Sequence, residues 1–178
     1  NNRYWICTWG DGLYAFNPTA NATHTASYEK IPFKNDAGYS EKIVYNILQD
    51  DFNGDIWTLS FSRISCFRTM KNGQITEINV EPFFDQTANI FSDLVLDRKG
   101  SIWLGVFDEG MSTIDFKASG IHNYHLPYIK QHYHIAPKIT MLNRSDRQDV
   151  LWFNQDRVGL GSLNLSTQQI IMYSEKSD

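Results

Sequence analysis

The chain has 178 residues, enough for one domain with a sizeable core and too few for two domains of ordinary size. Its residues are 42% hydrophobic and 14% aromatic, which indicates a packed globular protein and excludes a disordered one. The formal net charge is −4 without any run of like charges, so we expect no nucleic acid partner.

Four tryptophans, spaced by 52, 46 and 49 residues, divide the chain into similar segments: Trp5, Trp57, Trp103 and Trp152. The sequences "DFNGDIW", "DRKGSIW" and "DRQDVLW" end at the last three of them. Each of these phrases begins with an aspartate six residues before its tryptophan: Asp51, Asp97 and Asp146. A glycine and an apolar residue follow the first, third and fourth tryptophans seven residues later, whereas the second copy is one residue shorter and has Arg63 and Ile64 there. The chain therefore carries four copies of one motif, the sign of a repeat architecture.

The apolar residues of each copy fall into four short runs, which predict four antiparallel strands, A to D. In the third copy, these are "DLVL", "SIWLGVF", "MSTIDF" and "IHNYH". Strand B is apolar on both faces, so we expect it to be covered on both sides. The aspartate is expected to accept backbone N–H bonds in a turn, the glycines to adopt positive φ, and the tryptophan to pack between blades.

Four antiparallel strands per repeat form the blade of a β-propeller. We predict an all-β fold, a partial β-propeller of about four blades, in which the first blade lacks its innermost strand A. The prediction is one segment over 1–178, with blades at 1–33, 43–82, 90–126 and 137–175. A helical turn is possible only near Ser40–Tyr45, and "IKQHYHIAP" is taken as a loop. We expect an arc of a longer propeller, which alone would expose two blade faces or pair with a second copy.

Neither the cysteines nor the histidines indicate a cofactor. Cys7 and Cys66 fit two buried thiols or a disulfide, and their spacing fits no metal site. His132 and His134 alternate, so in a strand they would share one face, with His122 and His125 nearby. No carboxylate or cysteine completes a ligand set beside them, so we expect no metal.

The phrase D-x-x-G-x-[I/L]-W followed by Gly-Leu or Gly-Met resembles the two-component-regulator propeller repeat. Arg63 and Asp149 depart from it, each standing in place of a glycine. The resemblance implies the periplasmic sensor region of a Bacteroides-type hybrid two-component system, a sensor histidine kinase anchored in the inner membrane. It also implies a glycan-fragment ligand, signalling through dimers, and kinase and phosphorelay modules that lie elsewhere in the parent protein. This chain itself is then expected to be non-catalytic.

A ligand is expected at the B–C and D–A loops, which gather at one end of a propeller. Aromatic rings beside carboxylates and an arginine suit sugars, although the same rings could merely plug strand ends while the charges are solvated. The candidate ligand-binding residues are Trp9, Asp11, Phe61, Arg63, Phe107, Asp108, Glu109, Asp156 and Arg157.

Three functions remain open at this point. The first is a non-catalytic sensor of an oligosaccharide, whose other partners are the remaining blades of its parent and a possible second copy. The second is a propeller enzyme acting on polysaccharide, a lyase or a glycosidase; a glycosidase would need two carboxylates across a cleft. The third is a generic protein-interaction propeller. Fold alone does not decide between them.

Overall fold

The computed structural model describes residues 3–18, 27–34, 42–60, 63–80, 90–115 and 120–173. Their strands form four antiparallel sheets, each with its strands in chain order. The chain divides into two compact units, Asn1–Val80 and Glu81–Asp178. Each unit contains two of the sheets, and the blade boundaries expected within a single segment stay a prediction.

The first unit holds the first and second sheets. The first sheet consists of three strands: β1 (Tyr4–Thr8), β2 (Gly12–Asn17) and β3 (Ser27–Ile31). The second sheet consists of four: β4 (Asn46–Gln49), β5 (Ile56–Ser60), β6 (Arg63–Thr69) and β7 (Ile75–Ile78). The all-β prediction and the missing strand A of the first blade are confirmed.

The second unit holds the third and fourth sheets, both of four strands. The third consists of β8 (Phe91–Leu96), β9 (Ile102–Val106), β10 (Gly110–Asp115) and β11 (Gly120–His125). A short helix, α1 (Pro127–Tyr133), leads to the fourth, which consists of β12 (Ile139–Arg144), β13 (Val150–Gln155), β14 (Gly159–Asn164) and β15 (Ile170–Tyr173). The predicted strands A to D of the third copy correspond to β8 to β11.

The core of the first unit lies between its two sheets. We call the face of a sheet to which its strand B tryptophan points the tryptophan face, and the other the opposite face. Trp5 and Cys7 are two residues apart in β1 and therefore point to the same face of the sheet. Because Cys7 pairs with Leu13 of β2, Leu13 lies on that face as well. This tryptophan face packs on Ile56 and Phe67, which lie on the opposite face of the second sheet. Both of those residues are buried, so apolar burial between the sheets stabilises the unit.

The core of the second unit repeats this arrangement. Trp103 and Met111, on the tryptophan face of the third sheet, pack in one cluster with Leu151 and Phe153 of the fourth sheet. Those two residues alternate with Trp152 along β13 and therefore lie on the opposite face. The tryptophan face of the earlier sheet thus meets the opposite face of the later sheet in both units. The expectation that the tryptophan packs between blades is met at Trp103.

The aspartate of the third copy organises the A–B turn and also holds the tryptophan. Asp97 Oδ1 accepts hydrogen bonds from the backbone N–H groups of Lys99, at 2.8 Å, and Ser101, at 2.9 Å. Its Oδ2 accepts a buried hydrogen bond from Trp103 Nε1 at 3.0 Å. The expected Asx-type turn is therefore present, and its aspartate also bonds to the indole, a contact that the sequence pattern does not predict.

In the second and fourth copies, the residue that begins the A–B turn lies one position before the aspartate of the motif. The second copy uses Asp50, which is buried and accepts from the N–H of Phe52 at 2.8 Å, whereas Asp51 is exposed. The turn closes from Asp50 N to Asp55 O there, one residue longer than the turn after β8. In the fourth copy the corresponding position is Ser145, and Asp146 is exposed.

Two expectations about helices need correction. The segment taken as the loop "IKQHYHIAP" lies mostly in α1, which begins with Pro127 in its first turn and buries Ile129 in the core of the second unit. His132 lies on that helix and His134 is its left-handed C-cap, so they do not alternate along a strand. The helical turn considered near Ser40–Tyr45 lies partly outside the described residues, and its described part contains a β-bridge at Ile43.

Both cysteines are free thiols, Cys66 buried and Cys7 half-buried. Burial raises the pKa of the Cys66 thiol to about 12 and that of the Cys7 thiol to about 11. Both thiols are therefore protonated and unreactive at neutral pH.

Candidate ligand-binding loops

The residues that lead into strand A hold the B–C loop of the preceding blade in place. In the first unit, Ile43 forms a β-bridge with Trp9, and the carbonyl oxygen of Lys42 accepts from Gly10 N at 2.8 Å. In the second unit, Lys138 forms the equivalent β-bridge with Phe107. The carbonyl oxygen of Lys138 also accepts from Asp156 N at 2.9 Å, in the B–C loop of its own blade.

Three of the B–C loops have a left-handed residue five positions after the strand B tryptophan. This residue is Gly10, Asp108 or Arg157, with φ of 128°, 66° and 64°. Glycine adopts positive φ at no steric cost and aspartate tolerates it, but arginine in this region is uncommon. The surrounding hydrogen bonds therefore impose the conformation at Arg157, where the carbonyl of Lys138 fixes the preceding residue.

In the second unit, charged groups and an aromatic ring converge around Lys138. Its ammonium lies 5.1 Å from the centre of the Phe107 ring, within the range of a cation–π interaction. The Nζ atom also lies 3.5 Å from Asp156 Oδ2, and Arg157 Nε lies 3.8 Å from the same oxygen. Two cations, one carboxylate and one ring therefore meet at the end of the third and fourth blades that carries the B–C loops, which we call the loop end.

A buried amide holds this group of residues in position. The side chain of Gln155 is buried, and its Oε1 accepts from the backbone N–H of Lys138 at 2.9 Å. Its Nε2 donates to the carbonyl oxygen of Asp156 at 3.2 Å. Because both ends of the amide bond to backbone, the positions of Lys138 and Asp156 relative to each other are set by the core rather than by solvent.

The first unit presents a different set of side chains at its B–C loop. Trp9 is 70% exposed, an unusual state for an indole. Asp11, two residues later, accepts hydrogen bonds from Lys30 Nζ and from the Tyr14 hydroxyl. These hydrogen bonds, that from Lys30 first, hold the pKa of the Asp11 carboxyl below its ordinary value. Asp11 is thus an ionised acceptor, a poor choice for a general acid.

Arg63 is engaged in a structural contact. Its guanidinium donates to Glu77 Oε1 at 2.7 Å, and its charge centre lies 5.8 Å from the centre of the Phe33 ring. Glu77 is buried and also accepts from the backbone N–H of Lys34 at 2.6 Å. This arrangement places Arg63 in the packing of the first unit.

The structure thus brings together some of the nine predicted residues. Phe107, Asp156 and Arg157 meet in the second unit, with Asp108 and Glu109 on the same loop as Phe107. Trp9 and Asp11 belong to the first unit, and Phe61 lies outside the described residues. Lys138 was missed: in the sequence its only distinguishing mark is that it directly precedes an apolar strand.

Two features are absent from the described part of the chain. None of its histidine, cysteine, aspartate and glutamate side chains form a group of three or more suited to a metal ion. No described helix has the length and apolar character needed to cross a bilayer.

Solved structures share this architecture. The chain superposes on the extracellular domain of a hybrid two-component system of B. thetaiotaomicron with a TM-score of 0.66 and 16% identity, over 96% of this chain and 22% of that one. PorZ, a surface component of the type-IX secretion system of Porphyromonas gingivalis, gives 0.69 and 15%, over 100% and 27%. The chain has the fold of a partial β-propeller. Virginiamycin B lyase of Staphylococcus aureus also matches, with 0.68 and 15%, over 98% of this propeller chain and 53% of the lyase.

These similarities establish the fold of the propeller. Extracellular domains of hybrid two-component systems are among the similar structures, as the resemblance of the repeat predicts. The chain spans about a quarter of the length of the first two proteins and about half of the lyase. No protein-family model matches the sequence, and no curated protein is significantly similar to it.

Proposed function

We propose that this chain is a non-catalytic ligand-recognition segment of an extracytoplasmic sensor, with an oligosaccharide as its ligand. The observation that carries the proposal is the convergence of Phe107, Lys138, Asp156 and Arg157 at the loop end of two successive blades. The shared fold with extracellular domains of hybrid two-component systems supports the sensor role. In such a system the parent protein would carry the kinase, and this segment would lie in the periplasm.

The chemistry of the loop end fits a sugar. A sugar ring presents C–H groups that pack on an aromatic face, and hydroxyls that need both donors and acceptors. Phe107 offers the aromatic face, Lys138 and Arg157 offer donors, and Asp156 offers an acceptor. Because Gln155 holds the backbone of Lys138 and Asp156, little backbone freedom would be lost on binding.

The alternative of a propeller enzyme is kept open by the similarity to virginiamycin B lyase. Two carboxylates of the described loops favour it less. Asp156 lies against two cations, and Asp11 is held ionised by Lys30 and Tyr14. A glycosidase needs a carboxyl group that stays protonated near neutral pH as its acid, the reverse of the shift at Asp11.

Binding measurements can test the proposal with matched variants. A panel of neutral and acidic oligosaccharides is titrated into the chain by calorimetry, and the tightest binder is measured again with Phe107→Ala and Lys138→Ala. We expect each substitution to weaken binding about tenfold or more. Phe52→Ala and Lys71→Ala are the controls. Both residues are exposed, and they lie in the A–B and C–D turns, at the ends of the strands away from the B–C loops. Equal affinity in all four variants would contradict the proposed site, and product formation from the oligosaccharide would favour the enzyme.

A further inference from the structure

Arg157 occupies a backbone position that is strained for an arginine. Its φ of 64° lies in the left-handed region, which glycine enters freely and a residue with a side chain adopts at a cost. The first copy has Gly10 at the equivalent position, with φ of 128°. Local stability alone would favour glycine there, so the arginine is expected to serve another purpose.

The contacts of the Arg157 side chain do not give it a structural purpose. The side chain is 80% exposed, and its Nε lies 3.8 Å from Asp156 Oδ2, too far for a hydrogen bond. The same oxygen lies nearer to Lys138 Nζ, at 3.5 Å. Within the described part of the chain, no acceptor takes a hydrogen bond from the guanidinium of Arg157. An exposed ion pair of this length contributes little to stability.

The exposure of Arg157 belongs to its position in the loop. Gly10 and Asp108 hold the same position in their own B–C loops, and both are exposed. Each of those two loops is bridged by a residue that leads into the next sheet, Ile43 in one case and Lys138 in the other. A following sheet therefore leaves this position open to solvent, where its side chain can meet a ligand.

We propose that Arg157 determines ligand specificity, and that its guanidinium binds a carboxylate or sulfate group of an acidic oligosaccharide. The planar fork of N–H donors in arginine matches two oxygens of such a group at once. Lys138 stays beside Asp156 and balances that carboxylate while Arg157 contacts the ligand. This assignment rests on the proposed function, because it names the ligand class of the same loop end.

The other charges of the loop end determine how an acidic ligand would be recognised. Asp108 and Glu109 lie on the B–C loop of the third blade, and neither forms an ion pair with a described cation. Together with Asp156 they outnumber Lys138 and Arg157, so the loop end as a whole does not attract an anion over a long distance. Selection of an acidic ligand therefore depends on the direct contact with Arg157 and is lost with it.

Matched pairs of oligosaccharides test this role by calorimetry. One pair is an oligogalacturonate and its methyl ester, and the other is a sulfated galactan oligosaccharide and its desulfated form. The natural chain should bind the acidic member of one pair at least about tenfold more tightly than the neutral member, and that pair identifies the anionic group. The preference should disappear in Arg157→Gly. It should persist in the control Arg147→Ala, which alters an exposed arginine in the A–B turn of the same blade.

Urea unfolding separates this role from a structural one. Because glycine relieves the strain at this φ, Arg157→Gly should be at least as stable as the natural chain. A loss of stability, equal affinities within both pairs, or a preference that survives in Arg157→Gly would each overturn the assignment. Binding of the neutral members alone would overturn it and leave the sensor proposal standing, whereas failure of every oligosaccharide to bind would contradict both.

Discussion

Replacing Asp97 should destabilise the second unit far more than replacing the aspartates that occupy the same place in the sequence motif. The carboxylate of Asp97 accepts two turn N–H groups and the buried indole N–H of Trp103. An unsatisfied buried donor costs about 1–3 kcal/mol. The turn bonds add less, because water can replace them at the exposed Lys99. We expect Asp97→Ala to lower the free energy of unfolding by about 2–4 kcal/mol.

Two comparison variants test the role of the indole contact. Asp146→Ala removes an exposed side chain and should cost less than about 0.5 kcal/mol. Urea unfolding followed by tryptophan fluorescence gives each free energy. In a Trp103→Phe background no indole N–H remains, so the cost of Asp97→Ala should fall by about 1–3 kcal/mol. Equal costs for Asp97→Ala and Asp146→Ala, or no difference between the two backgrounds, would show that the indole contact does not stabilise the unit.

Two further predictions concern ion pairs. Arg63→Ala leaves the buried Glu77 carboxylate without its cation. We therefore expect the free energy of unfolding, measured with urea, to fall by about 2–3 kcal/mol. In a Glu77→Gln background, which has no buried charge to leave unpaired, Arg63→Ala should cost less than about 1 kcal/mol. Asp149 accepts hydrogen bonds from Ser166 and Lys99, which lower its pKa. The pKa of Asp149 is lower in the folded state than its ordinary value of 3.8. Its contribution to the free energy of unfolding is therefore fully present above pH 3.8, and it is lost as the pH falls through the folded-state pKa. Asp149→Ala should therefore cost up to about 1 kcal/mol at pH 7 and progressively less as the pH falls below 3.8, as measured by thermal unfolding.

The strands and their faces were predictable because they depend on local alternation. "SIWLGVF" is apolar on both sides, and its tryptophan recurs at intervals of about fifty residues, so blade, strand order and buried face all follow from the pattern. The register of the A–B turn was not predictable. Asp50 and Asp51 are adjacent, and only the hydrogen bond that closes the turn shows which of them points inward.

The helix and the lysine were missed for different reasons. α1 has seven residues, no side-chain cap at its N-terminus and no acidic residue in its first turn. Its one local signal is Pro127, which favours the first turn of a helix; the burial of Ile129 is a tertiary effect. Lys138 belongs to the candidate site because the backbone of β12 begins beside two loops, a relation between distant segments that periodicity does not contain.

The location of the cores between sheets determines the smallest piece of this chain that can fold. A single sheet taken out of either unit would carry an uncovered apolar surface and no interior of its own, so two neighbouring sheets are the minimal cooperative module. Truncation after the third sheet would uncover Trp103 and Met111 together, and the loss of one sheet would weaken its neighbour as well.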